Sequence, residues 1–346
     1  MQMIKRIATA LAVSLFAGLL PAMAQSKWGV EKTFHVGGTG GFDYLTADPQ
    51  THRLFVPRST HTLVIDAVSG KTLADIPGQK NAHGVAIVPQ AGRGFITDGG
   101  GDGAILIFDL KTYAVLGKLA AQPDADGIIF DSASGLVLAV SGDKGVLMTF
   151  KPGIDPVSGK IDTSIDLGGA PEFLAADGAG KAYVNLQDKN EVAVVDLKAR
   201  KVIARWPVAP GGSPVGMAID TKNKRLIIGC RKPQKMIVMS TVDGKVLADL
   251  PIGAGVDATK TSNGQAFASC RDGSLAIAAE TSPGKFEIVQ TVKTPFGAKT
   301  MDVDAIAHKI YMPTAEFEEL APGATGRPKA KPDSFMIVVV SPNAAH

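Results

Sequence analysis

From Phe42 onward the chain repeats one local pattern: four short apolar runs, separated by turns rich in Gly, Pro, Asp and Ser. In the first unit the runs are Phe42 to Asp48, His52 to Pro57, Thr62 to Asp66 and Thr72 to Ile76, with turns at Asp48-Pro49 and Ser69-Gly70-Lys71. Six more units follow: Val85 to Leu119, Ile128 to Asp166, Phe173 to Pro207, Gly216 to Leu250, Ala258 to Thr291 and Thr300 to Val340. Runs of this length, punctuated this way, read as antiparallel strands. Four such strands repeated at about 40 to 46 residues are the interval of a propeller blade. The expected fold is therefore all-β, a seven-bladed β-propeller of four-stranded antiparallel blades.

The last unit supplies only three strands before the chain ends: Thr300 to Asp304, Lys309 to Pro313 and Ser334 to Val340. The segment Gly29 to Val36 precedes the first full unit and is the expected fourth. Pairing it with the last blade closes the ring and removes two exposed edges. In five units an Asp stands five residues after the aligned first-strand position (Asp43, Asp126, Glu172, Val215 and Lys299): Asp48, Asp131, Asp177, Asp220 and Asp304.

Two stretches carry a family resemblance. Phe55-Val56-Pro57 with Leu63-Val64-Ile65-Asp66, and Ala182-Tyr183-Val184-Asn185 with Val192-Ala193-Val194-Val195-Asp196, resemble the YVTN β-propeller repeat. With the N-terminal leader, the chain resembles the YncE-like exported group over nearly its whole length. Such propellers include binding proteins, lactonases and lyases, so the resemblance implies a fold and no single activity.

The N-terminus reads as a secretory signal. Lys5 and Arg6 precede an apolar run from Ile7 to Leu20, and Ala22-Met23-Ala24 offers small residues for cleavage before Gln25. The expected organisation is a signal peptide at 1–24 and a single propeller domain at 25–346, with a long loop at 315–333 in the last blade. The expected location is periplasmic or secreted, with no transmembrane segment once the signal is removed, and the expected state is a monomer. A net charge of +3, with 6% aromatic residues and no basic stripe, argues against nucleic acid as a partner. A small molecule or a periplasmic protein is the expected partner.

Chemistry is expected where strand starts converge. In a four-stranded blade the first strand lines the channel, so aligned first-strand positions form a ring at one mouth. They are Asp43, His83, Asp126, Glu172, Val215, Asp257 and Lys299. Second-strand ends add Arg58, Asp98, Asn185, Cys230 with Arg231, and Cys270 with Arg271 to that face. Converging carboxylates repel one another unless a counter-charge sits among them. Asp43, His83, Asp126, Glu172 and Asp257 are therefore candidate ligands for one divalent ion, Ca²⁺, Mn²⁺, Fe²⁺ or Zn²⁺. Two other readings stay open: solvated turn caps, and an organic anion held by Lys299 and arginines. Arg58, Asp98, Arg231, Arg271 and Lys299 are the candidate ligand-binding residues. Lactonase-type six-bladed propellers hold a metal at the corresponding mouth, but their motif is not matched in full here.

Cys230 and Cys270 are read as two small buried residues at matched positions, with a disulfide or a soft-metal site as the alternatives. The run from Asp98 to Gly103 lacks the Lys-Ser/Thr of a phosphate loop and reads as a hairpin turn. Two functions compete. One is a binding module that holds a small ligand, metal or partner at the polar mouth. The other is a metal-dependent lactonase- or lyase-like hydrolytic enzyme using the same site, with His83 as candidate general base.

Overall fold

A computed structural model describes residues 27–320 and 326–342. The segment read as a signal peptide lies outside the described residues. Among those described, no helix is long and apolar enough to cross a membrane.

The strands fall into five four-stranded antiparallel sheets, each taken as one blade, and one seven-stranded sheet taken as two. Blade 3 runs Ala125–Asp131, Leu136–Ser141, Val146–Phe150 and Thr163–Asp166; blade 4 runs Pro171–Ala176, Lys181–Leu186, Glu191–Asp196 and Lys201–Pro207. Blade 5 comprises Pro214–Asp220, Arg225–Arg231, Gln234–Ser240 and Val246–Pro251. Blade 6 comprises Val256–Ser262, Gln265–Cys270, Ser274–Ser282 and Lys285–Lys293.

Blades 1 and 2 share one strand. Thr72–Val88 pairs through its first half with Ser59–Asp66 and through its second half with Arg93–Asp98. The sequence predicts two strands there, separated by a break. Instead the backbone runs on through Gly78, and the two blades form one seven-stranded sheet. The first blade also begins later than the pattern predicts. Its inner strand covers only Thr46–Asp48, and residues 37–45 form an irregular entry.

The last blade combines Asp302–Asp304, Lys309–Thr314 and Met336–Pro342 with the N-terminal strand Trp28–His35. That strand pairs in antiparallel register with the chain's last strand, from Trp28 opposite Pro342 to His35 opposite Met336. The pairing of the N-terminal strand with the last blade, expected from the sequence, is thus part of the fold. Trp28 locks it sideways as well. Its indole donates to Gln265 Oε1 at 3.0 Å, and its ring meets Phe267 of blade 6 edge-on at 5.1 Å.

The recurring Asp residues explain the turns. Asp131, Asp220 and Asp304 accept backbone N–H bonds from residues two or three positions on, at 2.7–3.0 Å. Asp48 and Asp177 cap the same inner turn in blades 1 and 4. An Asx cap of this kind satisfies loop donors that no strand can reach. These turns all lie on the face opposite the polar mouth.

The core sits between blades. Phe55 of blade 1 packs on Phe108 of blade 2 at 5.6 Å, and Phe95 of blade 2 on Phe150 of blade 3 at 5.4 Å. Gly94 is required there, because a Cβ would overlap the Phe108 ring. Within the 315–333 segment, Phe317 bridges Ala330, and Glu318 N donates to Lys329 O at 2.9 Å. What reads in the sequence as one long loop therefore contains a small backbone ladder.

Candidate functional site

Interblade hydrogen bonds set the height of several residues at the mouth. The Thr97 hydroxyl of blade 2 donates to Asp126 O at 2.6 Å, and Ser269 of blade 6 to Lys299 O at 2.6 Å. Asn185 of blade 4 donates to Val215 O at 2.8 Å. Thr300 donates to Asp43 O at 3.1 Å. The three donors from the second strands, Thr97, Asn185 and Ser269, occupy matched positions, and each holds the backbone of the next blade's ring residue.

On one side of the mouth, Asp43, His83 and Asp126 bring one ligand atom each within 4.8 Å of one another, all half-buried. His83 Nδ1 stands 2.8 Å from Asp43 Oδ2 and 3.6 Å from Asp126 Oδ1. Its Nε2 lies 2.7 Å from the Asn81 amide, which can donate to a neutral ring or, turned over, accept from an imidazolium. Asp126 Oδ1 is buried and has no hydrogen-bond donor among the described residues.

The charges follow from this packing. Burial works against the imidazolium, but the Asp43 hydrogen bond and the Asp126 and Asp43 charges overcome it and hold His83 up at about 9. Burial pushes Asp126 well above the usual carboxylate range; His83 opposes this, while Asp43, Glu172 and Asp124 reinforce it. Burial also acts on Asp43, but Lys299 and His83 outweigh it and keep that carboxyl low. Glu172 is raised by burial, against the pull of Arg231, and belongs to the same field without joining the three-residue cluster.

The other side of the mouth is an ion-pair network. Asp257, only 4% exposed, accepts from both Arg231 and Lys299. Lys299 also reaches Asp43 Oδ1 at 3.5 Å. Asp257 therefore has two cationic side chains against it, whereas Asp126 has only the His83 ring, at 3.6 Å. The expected ring of five metal ligands separates into a cluster of three, a neighbouring Glu172, and an Asp257 committed to cations.

Arg58 and Asp98 are both engaged by protein groups. Arg58 is 1% exposed; its guanidinium donates to the carbonyls of Gly41, Gly37, Thr39 and Gly40 and lies 3.8 Å from the Phe335 ring centroid. It anchors the irregular entry to blade 1. Asp98 accepts from the backbone N–H groups of Lys80 and Asn81 and from Lys118, and so shapes the turn beside His83. The sequence placed both residues on the correct face but could not give their partners. Cys230 and Cys270 are free and buried, and burial pushes both thiols up to about 12.

Several contributors escaped the sequence reading. Tyr44 and Phe173 follow ring residues by one position and cross the channel to stack at 4.6 Å. Tyr44 also donates to Asp257 O at 2.9 Å. Together they floor the mouth. Beyond them a cavity of about 240 Å³ continues along the channel, lined by Leu45, Val85, Ile87, Ile128 and the Lys260–Asp302 ion pair. The signal that could have found the floor is the acid–aromatic pair, Asp43-Tyr44 and Glu172-Phe173, in opposite blades.

No protein-family profile matches the chain, and no curated protein matches it by sequence. Among solved structures it is similar to the Kuenenia stuttgartiensis hydrazine synthase, at a TM-score of 0.66 and 12% identity, over 85% of this chain and 96% of that one. Likeness at this identity shows the β-propeller fold and carries no activity with it.

Proposed function

We propose that this protein is an exported β-propeller of the YVTN-repeat kind that binds a divalent cation through Asp43, His83 and Asp126. The observation that carries this reading is Asp126 Oδ1, a buried carboxylate oxygen with no donor, beside two other ligand atoms. Leaving such an oxygen unpaired is costly, and a cation is the partner that also relieves the Asp43–Asp126 repulsion. Two carboxylates and one imidazole favour Mn²⁺, Fe²⁺ or Zn²⁺ over Ca²⁺, which prefers an all-oxygen shell. When bound, the ion would supply Lewis acidity at the mouth and offer a coordination position to a small ligand or a partner. The support for the repeat type is the Asn of Tyr183-Val184-Asn185, whose side chain ties blade 4 to blade 5. The support for export is the charged, apolar and small-residue order of residues 5–24.

Binding fits this site better than hydrolysis. A ring held up at about 9 is protonated at neutral pH, and a ring bound to a metal has given up its lone pair, so His83 is a poor general base in either state. Calorimetric titration of chelator-treated protein with Mn²⁺ and Zn²⁺ tests the reading. One ion per chain, lost in Asp126→Asn and His83→Gln, is expected. A wild-type protein that takes up no stoichiometric metal overturns it.

A further inference from the structure

The cation cluster leaves part of the mouth unused. Lys299 and Arg231 are both ion-paired to Asp257. Arg271, one blade on, has no carboxylate partner among the described residues. Burial lowers its pKa and the Arg327 and Arg231 guanidiniums lower it further, with the Asp257 charge opposing. Positive charge is thus concentrated at this edge without full neutralisation.

An aromatic surface lies beside it. Phe296 is 45% exposed and is the one exposed aromatic side chain among the described residues. The Arg271 guanidinium stands 5.6 Å from its ring centroid, and Phe317 braces the ring edge-on at 5.4 Å. The backbone holds the pair in place. Arg271 N donates to Gly255 O at 3.0 Å, Gly297 N to Arg271 O at 2.8 Å, and the Thr314 hydroxyl to Phe296 O at 2.8 Å. Gly297 has φ +85 and could not carry a Cβ without overlapping Phe317. An exposed ring fixed this firmly costs apolar exposure that a surface residue normally avoids.

We propose that Arg271 and Phe296 form an anion subsite at the edge of the mouth for an organic carboxylate with a flat apolar body. The guanidinium fork matches the two carboxylate oxygens, and the Phe296 face takes the body. A monoanion suits a site with one unpaired arginine, whereas a phosphate dianion would meet Asp257 and Asp43 across the mouth. The subsite goes beyond the cation reading and stands without it.

Benzoate is the probe, titrated calorimetrically into the purified protein in metal-free buffer with chelator. Benzamide serves as its neutral isostere and acetate as the carboxylate without a ring. Benzoate is expected to bind the wild type, and about tenfold or more weakly to Arg271→Gln. Phe296→Ala is expected to lose roughly threefold to tenfold. Both variants should keep the wild-type thermal midpoint within a few degrees, so that lost binding is not lost folding. Asp126→Asn, which removes the proposed cation, should bind benzoate as the wild type does. No benzoate binding, equal binding to wild type and Arg271→Gln, or benzamide as tight as benzoate overturns the subsite. Benzoate binding lost in Asp126→Asn would place the anion on the cation cluster and overturn it equally. Acetate as tight as benzoate would overturn the role of Phe296.

Discussion

The Thr97 hydroxyl donates to Asp126 O at 2.6 Å, so the side chain that fixes blade 3's contribution to the mouth belongs to blade 2. The same hydroxyl accepts from Gly84 N at 2.9 Å, next to His83. One threonine therefore sets two members of the cation cluster against each other. Thr97→Val keeps the shape and removes the hydrogen bonds. We expect a loss of about 1–2 kcal/mol in urea denaturation and a several-fold drop in Mn²⁺ affinity. Unchanged metal affinity would show that the cluster is positioned by other contacts.

Metal binding should stabilise the fold by mass action. At a free Mn²⁺ concentration about a hundredfold above the dissociation constant, the gain is about 2.7 kcal/mol. A rise in thermal midpoint is expected for the wild type and none for Asp126→Asn. A midpoint that rises equally in both proteins would place the ion elsewhere.

The pH response of the metal-free protein has a definite sign. His83 sits at about 9 in the folded state against about 6.5 for a free imidazole, so the folded protein holds that proton more tightly. Its contribution is whole below about pH 6.5 and is lost as pH rises through 9. Asp126, also raised, acts in the same sense, contributing in acid and losing that contribution as pH rises. Asp43, lowered, works in the opposite sense and loses its contribution only in strong acid. The urea midpoint should therefore fall from neutral pH towards pH 9, and His83→Gln should flatten that fall. Metal affinity should rise over the same interval, because the ion must displace the Nδ1 proton.

Arg58→Met tests the separation of anchor from ligand. Removing the guanidinium leaves the carbonyls of residues 37, 39 and 41 without their donor. A loss of about 2–4 kcal/mol is expected in chemical denaturation, with benzoate affinity unchanged in the protein that remains folded. A protein of wild-type stability that no longer binds benzoate would return Arg58 to the ligand site.

The blade grammar was legible because it is local. An Asp that caps a turn does so with residues two or three positions away, and alternating apolar runs report their own strands, so the repeat and its register could be read directly. The missing fourth strand followed by counting. The joined strand Thr72–Val88 was hidden, since Gly78 and Pro77 look like a break and the pairing that overrides them comes from two other strands. The mouth was legible as a ring of positions and not as a set of partners. Whether Asp257 meets a lysine or faces a vacancy depends on side chains 26 and 42 residues away. Arg58 looked like a clamp because nothing local says that residues 37–41 fold back over it.

Trp28 offers the last test. Trp28→Ala removes the indole bond to Gln265 and the contact with Phe267, and roughly 3–5 kcal/mol of stability should go with them. A loss under about 1 kcal/mol would mean that the backbone ladder alone secures this strand.

That ladder also dictates when the molecule can be finished. The first strand finds its partner only after Met336–Pro342 has been made, more than 300 residues later. Until then the newborn chain carries an unmatched edge at its beginning and an incomplete sheet at its growing end. Completion joins Trp28–His35 to Met336–Pro342 in a single late event, and a ribosome that stalls short of Met336 leaves both of those sheet edges adhesive.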